Sequence, residues 1–347
     1  MESKLLSILV VGHGVRGRHW TQAIEESGST ELFGIVEPRL GGERDSRIFP
    51  SLDALPEASS PDAVVIASPP TNHAEAVNWA VNRRVPILCE KPLSDDFAEA
   101  TGLVEAAETA SVPLSIGMNF RYVPAAGEIR RLVQERGLGE LLFGTFTYIT
   151  NRDGRHADLN DYPLFMDNPM LVDQSIHHLD LIRYGYATDV ARVTATNWNP
   201  KGSVYRSNSC SAVIMELETG QTVTYVGTWT SGSRRMEYRW RTDFEFGVTV
   251  QSDPFGDLWV SEKEPGLFRT ARPDEVEIEP FVARNFESLE PFHGETARLL
   301  TQLVRQSQHL SCELPTGRDH LATLALLEAV KRAEASRKWV AVTPTPG

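Results

Sequence analysis

Residues 7–17 read SILVVGHGVRG, and few stretches leave a chain so little choice of fold. An aliphatic run, 8–11, breaks into Gly12, Gly14 and Gly17, the pattern of a strand that feeds a tight turn and opens a helix. Gly12 lets the turn close, Gly14 leaves room for a pyrophosphate against the backbone, and Gly17 lets strand and helix pack closely. The free amides of the helix then point at that phosphate. Downstream, ELFGIV leads to Glu37, near the ~20-residue offset at which a carboxylate accepts from both hydroxyls of an unphosphorylated adenosine ribose. A glycine-rich loop in some other α/β protein is the alternative. Arg39 leaves NADP open beside NAD, because a guanidinium can stack on adenine or face a 2′-phosphate.

At 347 residues the chain exceeds one typical core. The division expected is 1–121 for dinucleotide binding, 122–335 for substrate binding and oligomerisation, and 336–347 as a tail. A formal net charge of −13 argues against a general nucleic-acid or membrane-surface role, so an anionic cofactor has to be attracted locally. Cys89, Cys210 and Cys312 are far apart and odd in number, which suits a reducing cytoplasm. The apolar run at the amino terminus leads straight into the glycine turn. It is too short to span a membrane, and removing it as a signal peptide would remove the first strand.

Strand and helix then alternate. Segments 31–36, 62–67, 85–89 and 112–116 read as strands, and 18–26 as a helix with Trp20, Ala23 and Ile24 inward. Asn72 and Glu75 form a capping pair for a second helix; Ser94 begins a third, with Asp95 and Asp96 in its first turn. Such alternation gives a mostly parallel sheet covered on both faces. After Arg121 the pattern changes to a helix at 128–135, a β-rich run at 141–149, a long polar loop at 151–169 and a helix at 171–184. Strand-like runs follow at 191–198, 209–218, 222–229, 234–241, 246–250 and 257–260, with closing helices at 286–307 and 320–335. The fold expected is an α/β Rossmann-type amino-terminal domain plus an α+β second domain with a large, mostly antiparallel open sheet.

Ligands of a doubly wound sheet sit beyond the carboxyl ends of its strands. Three breaks fall there: Gly12-His13-Gly14, Ser68-Pro69-Pro70 and Glu90-Lys91-Pro92. The candidate cofactor contacts are Gly12, His13, Gly14, Val15, Gly17, Glu37, Arg39, Ser68, Pro69, Asn72, His73, Glu90, Lys91 and Asn119. Near the nicotinamide end, the Lys91 ammonium would stabilise alkoxide character in a transition state; a turn lysine paired with Glu90 is the equal alternative. In VDQSIHHLDLIRY, Asp173 and His177 are four apart on one helix face. His177 is placed to remove a hydroxyl proton while Asp173 orients its ring, or else both belong to a solvated face. His178 is structural or lines the site. Arg121 and Tyr162 join Lys91, Asp173, His177 and His178 as candidate substrate contacts, with a structural salt bridge equally good for Arg121. Arg152, Arg155, His156, Asp158 and Asn160 on the long loop suit a polyhydroxylated substrate. No third ligand stands at a zinc-like spacing, so no metal is expected.

Six motifs in order, VVGHGVRG, VVIASPPTNHAEAVNWAV, CEKPLS, GMNFRYVPAAGEIRRLV, LVDQSIHHLDLIRYG and GRDHLATLALLEAVKRAEAS, carry a resemblance over essentially the whole length. The chain resembles the glucose–fructose oxidoreductase / inositol dehydrogenase / rhizopine-catabolism (Gfo/Idh/MocA) family of NAD(P)-dependent oxidoreductases. The resemblance implies that Lys91 contacts cofactor and substrate, that Asp173 and His177 are the family's aspartate and histidine with His177 the acid–base residue, and that Asn72 and His73 lie beside the cofactor. Glu37 stands where an aspartate often ends the second strand, and Ser175 where many members have glycine. The implied reaction moves hydride between nicotinamide and a secondary alcohol or ketone of a sugar, inositol or related polyol. His177 takes the hydroxyl proton and Lys91 stabilises the developing charge. Association as a homodimer or homotetramer through the open face of the second sheet is also implied. An NAD-dependent glycosidase with transient redox chemistry, or a regulatory protein that keeps only the cofactor, are the competing functions; the presence of Lys91 and His177 favours the dehydrogenase. On that reading the nicotinamide comes face to face with both side chains.

Overall fold

The apolar run ahead of the glycine turn forms strand β1 (Leu6–Val11). In the computed structural model, which describes residues 4–40, 46–56, 60–152, 162–233, 235–262, 281–286 and 290–343, it lies inside a wholly parallel six-stranded sheet. The other members are β2 (Thr30–Val36), β3 (Ile48–Phe49), β4 (Ala63–Ile66), β5 (Ile87–Cys89) and β6 (Leu114–Ile116), in the order β3-β2-β1-β4-β5-β6. That order reverses between β1 and β4, and a doubly wound sheet binds ligands at such a switch point, outside the carboxyl ends of its strands. Helices α1 (Val15–Glu26), α2 (His73–Arg83) and α3 (Phe97–Thr109) connect the strands. Two caps differ from expectation. Asn72 makes no side-chain cap on α2. The cap of α3 is Asp96, whose carboxylate accepts from Glu99 N at 2.8 Å, while the expected Ser94 accepts from Asp96 N at 3.0 Å. The Asx-type bond wins because only Asp96 has the extended backbone that a cap needs directly before the helix.

A second unit begins at Val123. Its helices α4 (Pro124–Gln134) and α5 (Ile176–Tyr186) accompany nine strands: β7 (Leu141–Ile149), β8 (Val190–Trp198), β9 (Cys210–Leu217), β10 (Thr222–Thr228), β11 (Glu237–Phe244), β12 (Gly247–Gln251), β13 (Leu258–Glu262), β14 (Val282–Arg284) and β15 (Val340–Ala341). Their order is β14-β13-β12-β11-β7-β10-β9-β8-β15, and every neighbouring pair is antiparallel except β7 with β10. Register sorts the two faces. Val213, Tyr225, Phe146, Trp240, Gln251 and Leu258 form one transverse row and are all buried. The adjacent row, Ile214, Thr224, Thr145, Arg241, Val250 and Trp259, points the other way and holds no buried residue. One face is therefore core and the other is open.

The chain then returns to the first unit. Helix α6 (His293–Ser307) lies within Leu289–Leu324, which clusters with Met1–Tyr122. Leu299, Leu300, Leu303 and Val304 share a core with Ile8, Val10, Trp20, Ile24, Val65 and Leu88. The expected division at residue 121 falls beside the observed change at Tyr122, but the single block 122–335 is corrected: part of it completes the core of the parallel sheet. Helix α7 (Gly317–Ser336) passes from the first unit to the second after Leu324. No helix among the described residues is long and apolar enough to cross a membrane.

Candidate active site

Gly12, at φ +93°, closes the turn and bonds its amide to Val36 O at 2.8 Å. A Cβ on Gly12 would stand 2.5 Å from Ser68 N, and one on Gly17 would stand 2.1 Å from Gly12 O, so the chain's own packing demands both glycines. Gly14 is different. A Cβ there meets nothing within 4 Å, and its backbone (φ −68°, ψ −160°) is open to other residues. A phosphate lying against the backbone accounts for glycine at that position where packing does not. Gly14 is also the N-cap of α1 and supplies no side-chain cap, which leaves first-turn amides for an anion. At the same turn, Glu37 Oε2 accepts from His13 N at 3.0 Å and Oε1 from Arg39 N at 3.2 Å. The exposed Arg39 side chain comes within 3.8 Å of Glu37. Ser68 Oγ is buried with no hydrogen-bond partner among the described residues. Spare room, open amides, an ordered carboxylate and an orphan hydroxyl together fit a dinucleotide. Val15 opens α1 and is half-buried, while Pro69 is exposed.

His73 joins the two later breaks. Nδ1 lies 3.0 Å from Pro92 O and 3.2 Å from Leu93 O, and Nε2 lies 2.9 Å from Ser68 O. At 1% exposure and with its ring turned to backbone carbonyls on both sides, His73 braces the loops. Burial is also the main cause that pulls its pKa below the ordinary imidazole value. Glu90 is braced in the same way: Oε1 accepts from Arg16 Nη2 at 2.7 Å, Arg16 Nε at 3.0 Å and Trp20 Nε1 at 2.8 Å. Burial pushes this carboxyl up, but the Arg16 charge and the bonds from Arg16 and Trp20 outweigh it, and the net direction is down. Glu90 thereby ties the segment carrying the half-buried Lys91 to α1. Asn72 is exposed, and Asn119 is buried in the 3-10 turn Asn119–Tyr122. Arg121 pairs with Asp319 at 2.6 Å.

The second unit carries the other constellation. The helix expected at 171–184 is π-helical over Met170–Ser175 before α5 begins, so Asp173 stands in a widened turn and His177 in the α-helical part. Asp173 Oδ2 lies 3.1 Å from Arg152 Nη1. Arg152 is itself fixed, its guanidinium 4.2 Å from the Trp229 ring centroid, its amide 2.9 Å from Trp229 O, and its carbonyl bonded by Tyr205 Oη. Its place directly after the β-rich run was the only sequence signal for this role. His177 is buried on the first turn of α5. His178, read as structural or site-lining and as a candidate substrate contact, is wholly buried, with Phe146 and Tyr148 ring centroids 4.7 and 4.8 Å away. Tyr162 opens the 3-10 turn Tyr162–Leu164, while Arg155, His156, Asp158 and Asn160 lie outside the described residues. The bonds of Arg16, Trp20 and Tyr225 were not legible, since each joins segments distant in sequence.

Comparison with known proteins gives a consistent picture. Residues 6–118 match the family described as "Oxidoreductase family, NAD-binding Rossmann fold", and residues 127–248 match the "GFO/IDH/MocA C-terminal domain". An inositol 2-dehydrogenase of Leifsonia xyli is 32% identical over 197 residues, 54% of this chain and 56% of that protein, so the chain spans little more than half of that relative. An inositol 2-dehydrogenase of Rhizobium meliloti is 24% identical over 347 residues, 96% of this chain and 98% of its own. Among solved structures, an oxidoreductase from Agrobacterium radiobacter in complex with NAD+, L-tartaric acid and magnesium superposes with a TM-score of 0.83 at 20% identity, covering 98% of this chain and 99% of that one.

Proposed function

Because the chain belongs to the Gfo/Idh/MocA oxidoreductase family and its first unit is the NAD-binding Rossmann fold of that family, we propose that it is an NAD(P)-dependent dehydrogenase of a secondary alcohol on a sugar, inositol or related polyol. One observation carries the cofactor half of the reading: Gly14 faces open space where this chain alone gives no reason for glycine. The inositol 2-dehydrogenases among its relatives support the polyol half. Gly12, Gly14, Gly17 and the α1 amides would hold the pyrophosphate, and Glu37 the adenosine ribose, which favours NAD.

When bound, NAD(P) supplies a hydride acceptor or donor at C4 of the nicotinamide. His177 takes the hydroxyl proton in alcohol oxidation and returns it in the reverse direction. Lys91 donates a hydrogen bond to the oxygen that gains negative charge. Asp173, whose carboxylate is steadied by Arg152, would supply the negative charge that stabilises a His177 imidazolium. A second copy of the chain would cover the open sheet face bearing Ile214, Val250 and Trp259, and a cytoplasmic setting suits the three free cysteines.

The test is a panel of sugars, inositols and 3-keto sugars assayed with both nicotinamide cofactors at the reduced-nicotinamide absorbance band. Turnover of at least one polyol, faster with NAD+ than with NADP+, is expected. Tight NADH binding with no turnover across the panel would refute the dehydrogenase.

A further inference from the structure

The second unit contains a polar chain that no role above uses, and its direction is readable from one end. Ser175 Oγ lies 3.0 Å from the Met170 carbonyl oxygen, which only accepts, so the Ser175 proton goes there. Tyr225 Oη, 2.7 Å from Ser175 Oγ, must then donate to it. With that proton committed, Tyr225 Oη accepts from His178 Nδ1–H across 3.0 Å. A neutral imidazole carries a single N–H, so His178 Nε2 is an acceptor, and Gln174 Nε2 stands 3.2 Å from it as the donor. All the links share one polarity. Reversing any of them sets two donors or two acceptors against each other.

Neutrality of the ring has its own cause. His178, Ser175 and Tyr225 are buried, and the rings of Phe146, Tyr148, Tyr225 and Tyr238 stand with centroids 4.7 to 6.4 Å from the imidazole. Burial pushes its pKa down to about 3. Gly227 makes the arrangement possible, because a Cβ there would stand 2.2 Å from Tyr225 Oη.

The consequence falls on Gln174. One N–H of its amide goes to His178, which fixes the sense of the amide and puts its carbonyl oxygen, an acceptor, at the other end. Gln174 is half-buried, adjoins Asp173 and comes three residues before His177. We propose that Gln174 is a specificity-determining residue that accepts a hydrogen bond from a substrate hydroxyl, its amide held in that sense by the Ser175–Tyr225–His178 chain. The assignment rests on the polyol reading above. Facing that oxygen, a ligand hydroxyl is matched, whereas a ketone, ether or carboxylate oxygen would set acceptor against acceptor.

Two measurements on the NAD+-loaded protein test it. Imidazole 15N NMR, with the His178 signals assigned by their loss in His178→Gln, should show the neutral Nδ1–H form unchanged between about pH 5 and pH 8. An Nε2–H form, or titration in that range, overturns the amide orientation. Gln174→Met, of similar length but without an acceptor, should raise the KM of the polyol turned over by the wild type about tenfold while kcat stays within about twofold. A deoxy analogue lacking the bonded hydroxyl should not distinguish the two proteins. Unchanged KM in Gln174→Met refutes the role while leaving the dehydrogenase intact. A wild type that turns over no polyol refutes the parent reading and the substrate contact with it.

Discussion

Arg16 and Glu90 are 74 positions apart and meet at a single oxygen, with Arg16 Nη2 at 2.7 Å and Nε at 3.0 Å from Glu90 Oε1. Arg16 follows the glycine turn directly, and Glu90 directly precedes Lys91. The dinucleotide cradle and the segment bearing the proposed catalytic ammonium are thus fastened together, with Trp20 Nε1 as a third bond to the same oxygen.

Glu90→Gln is expected to cost about 3 kcal/mol at neutral pH, because it leaves a largely buried guanidinium without its counter-charge. The Glu90 carboxyl is held below its ordinary 4.5, so its stabilisation is complete above that value and is lost as pH falls through the depressed one. Urea unfolding at about pH 7 and about pH 4 should show a smaller gap between wild type and variant at the lower pH. A gap that widens on acidification contradicts the ion pair.

Substitutions in the glycine turn should separate folding from binding. Gly17→Ala forces a Cβ to 2.1 Å from Gly12 O and should lower the melting temperature markedly. Gly14→Ala meets no atom of the chain and should melt within about 2 °C of wild type, yet bind NADH at least about tenfold more weakly. Thermal melts and NADH fluorescence titrations measure both. Full NADH affinity in Gly14→Ala would remove the phosphate from that position.

The buried His178 makes stability fall with acid. Its pKa is pushed to about 3 by burial, against an ordinary imidazole value of 6.5, so between those values only the unfolded chain takes up the proton. The sign follows: stability from this ring is complete above 6.5 and declines toward about 3. About 2 kcal/mol should be lost from this group between about pH 7 and pH 5, and His178→Gln should remove that share of the slope. Identical slopes in urea unfolding would show that the ring is charged in the fold.

Lys91→Met should keep NADH affinity and lose about 10²- to 10⁴-fold in kcat. For alcohol oxidation, the ratio of wild-type to His177→Ala rates should rise as His177 deprotonates. A ratio independent of pH would take the proton-transfer role from that residue.

Local signals were legible and distant ones were not. Residues 7–17 announced a strand, a turn and a helix because glycine conformation and aliphatic runs act within a few residues. The parallel sheet, the mostly antiparallel second sheet and the family followed from such signals in order. Strand β3, only Ile48–Phe49, is too short to leave a periodic trace. The π-helical turn at Met170–Ser175 looks like α-helix in sequence, because apolar spacing scarcely distinguishes the two. His178 adjoins His177 in sequence, and only packing shows that one ring is enclosed by aromatic side chains. The closing helix expected at 286–307 carried no local sign of its partner, so Leu299 and Leu303, which share a core with the parallel sheet, fell within the block 122–335.

That late-returning helix has a consequence for biosynthesis. Ile8, Val10 and Trp20 leave the ribosome before the large sheet, whereas Leu299, Leu300 and Leu303, which cover them, are added only after all of its strands but β15. The nascent amino-terminal half must wait with an uncovered greasy flank, so chaperone capture and premature-stop fragments ending near Ser288 are where this protein is most exposed to aggregation.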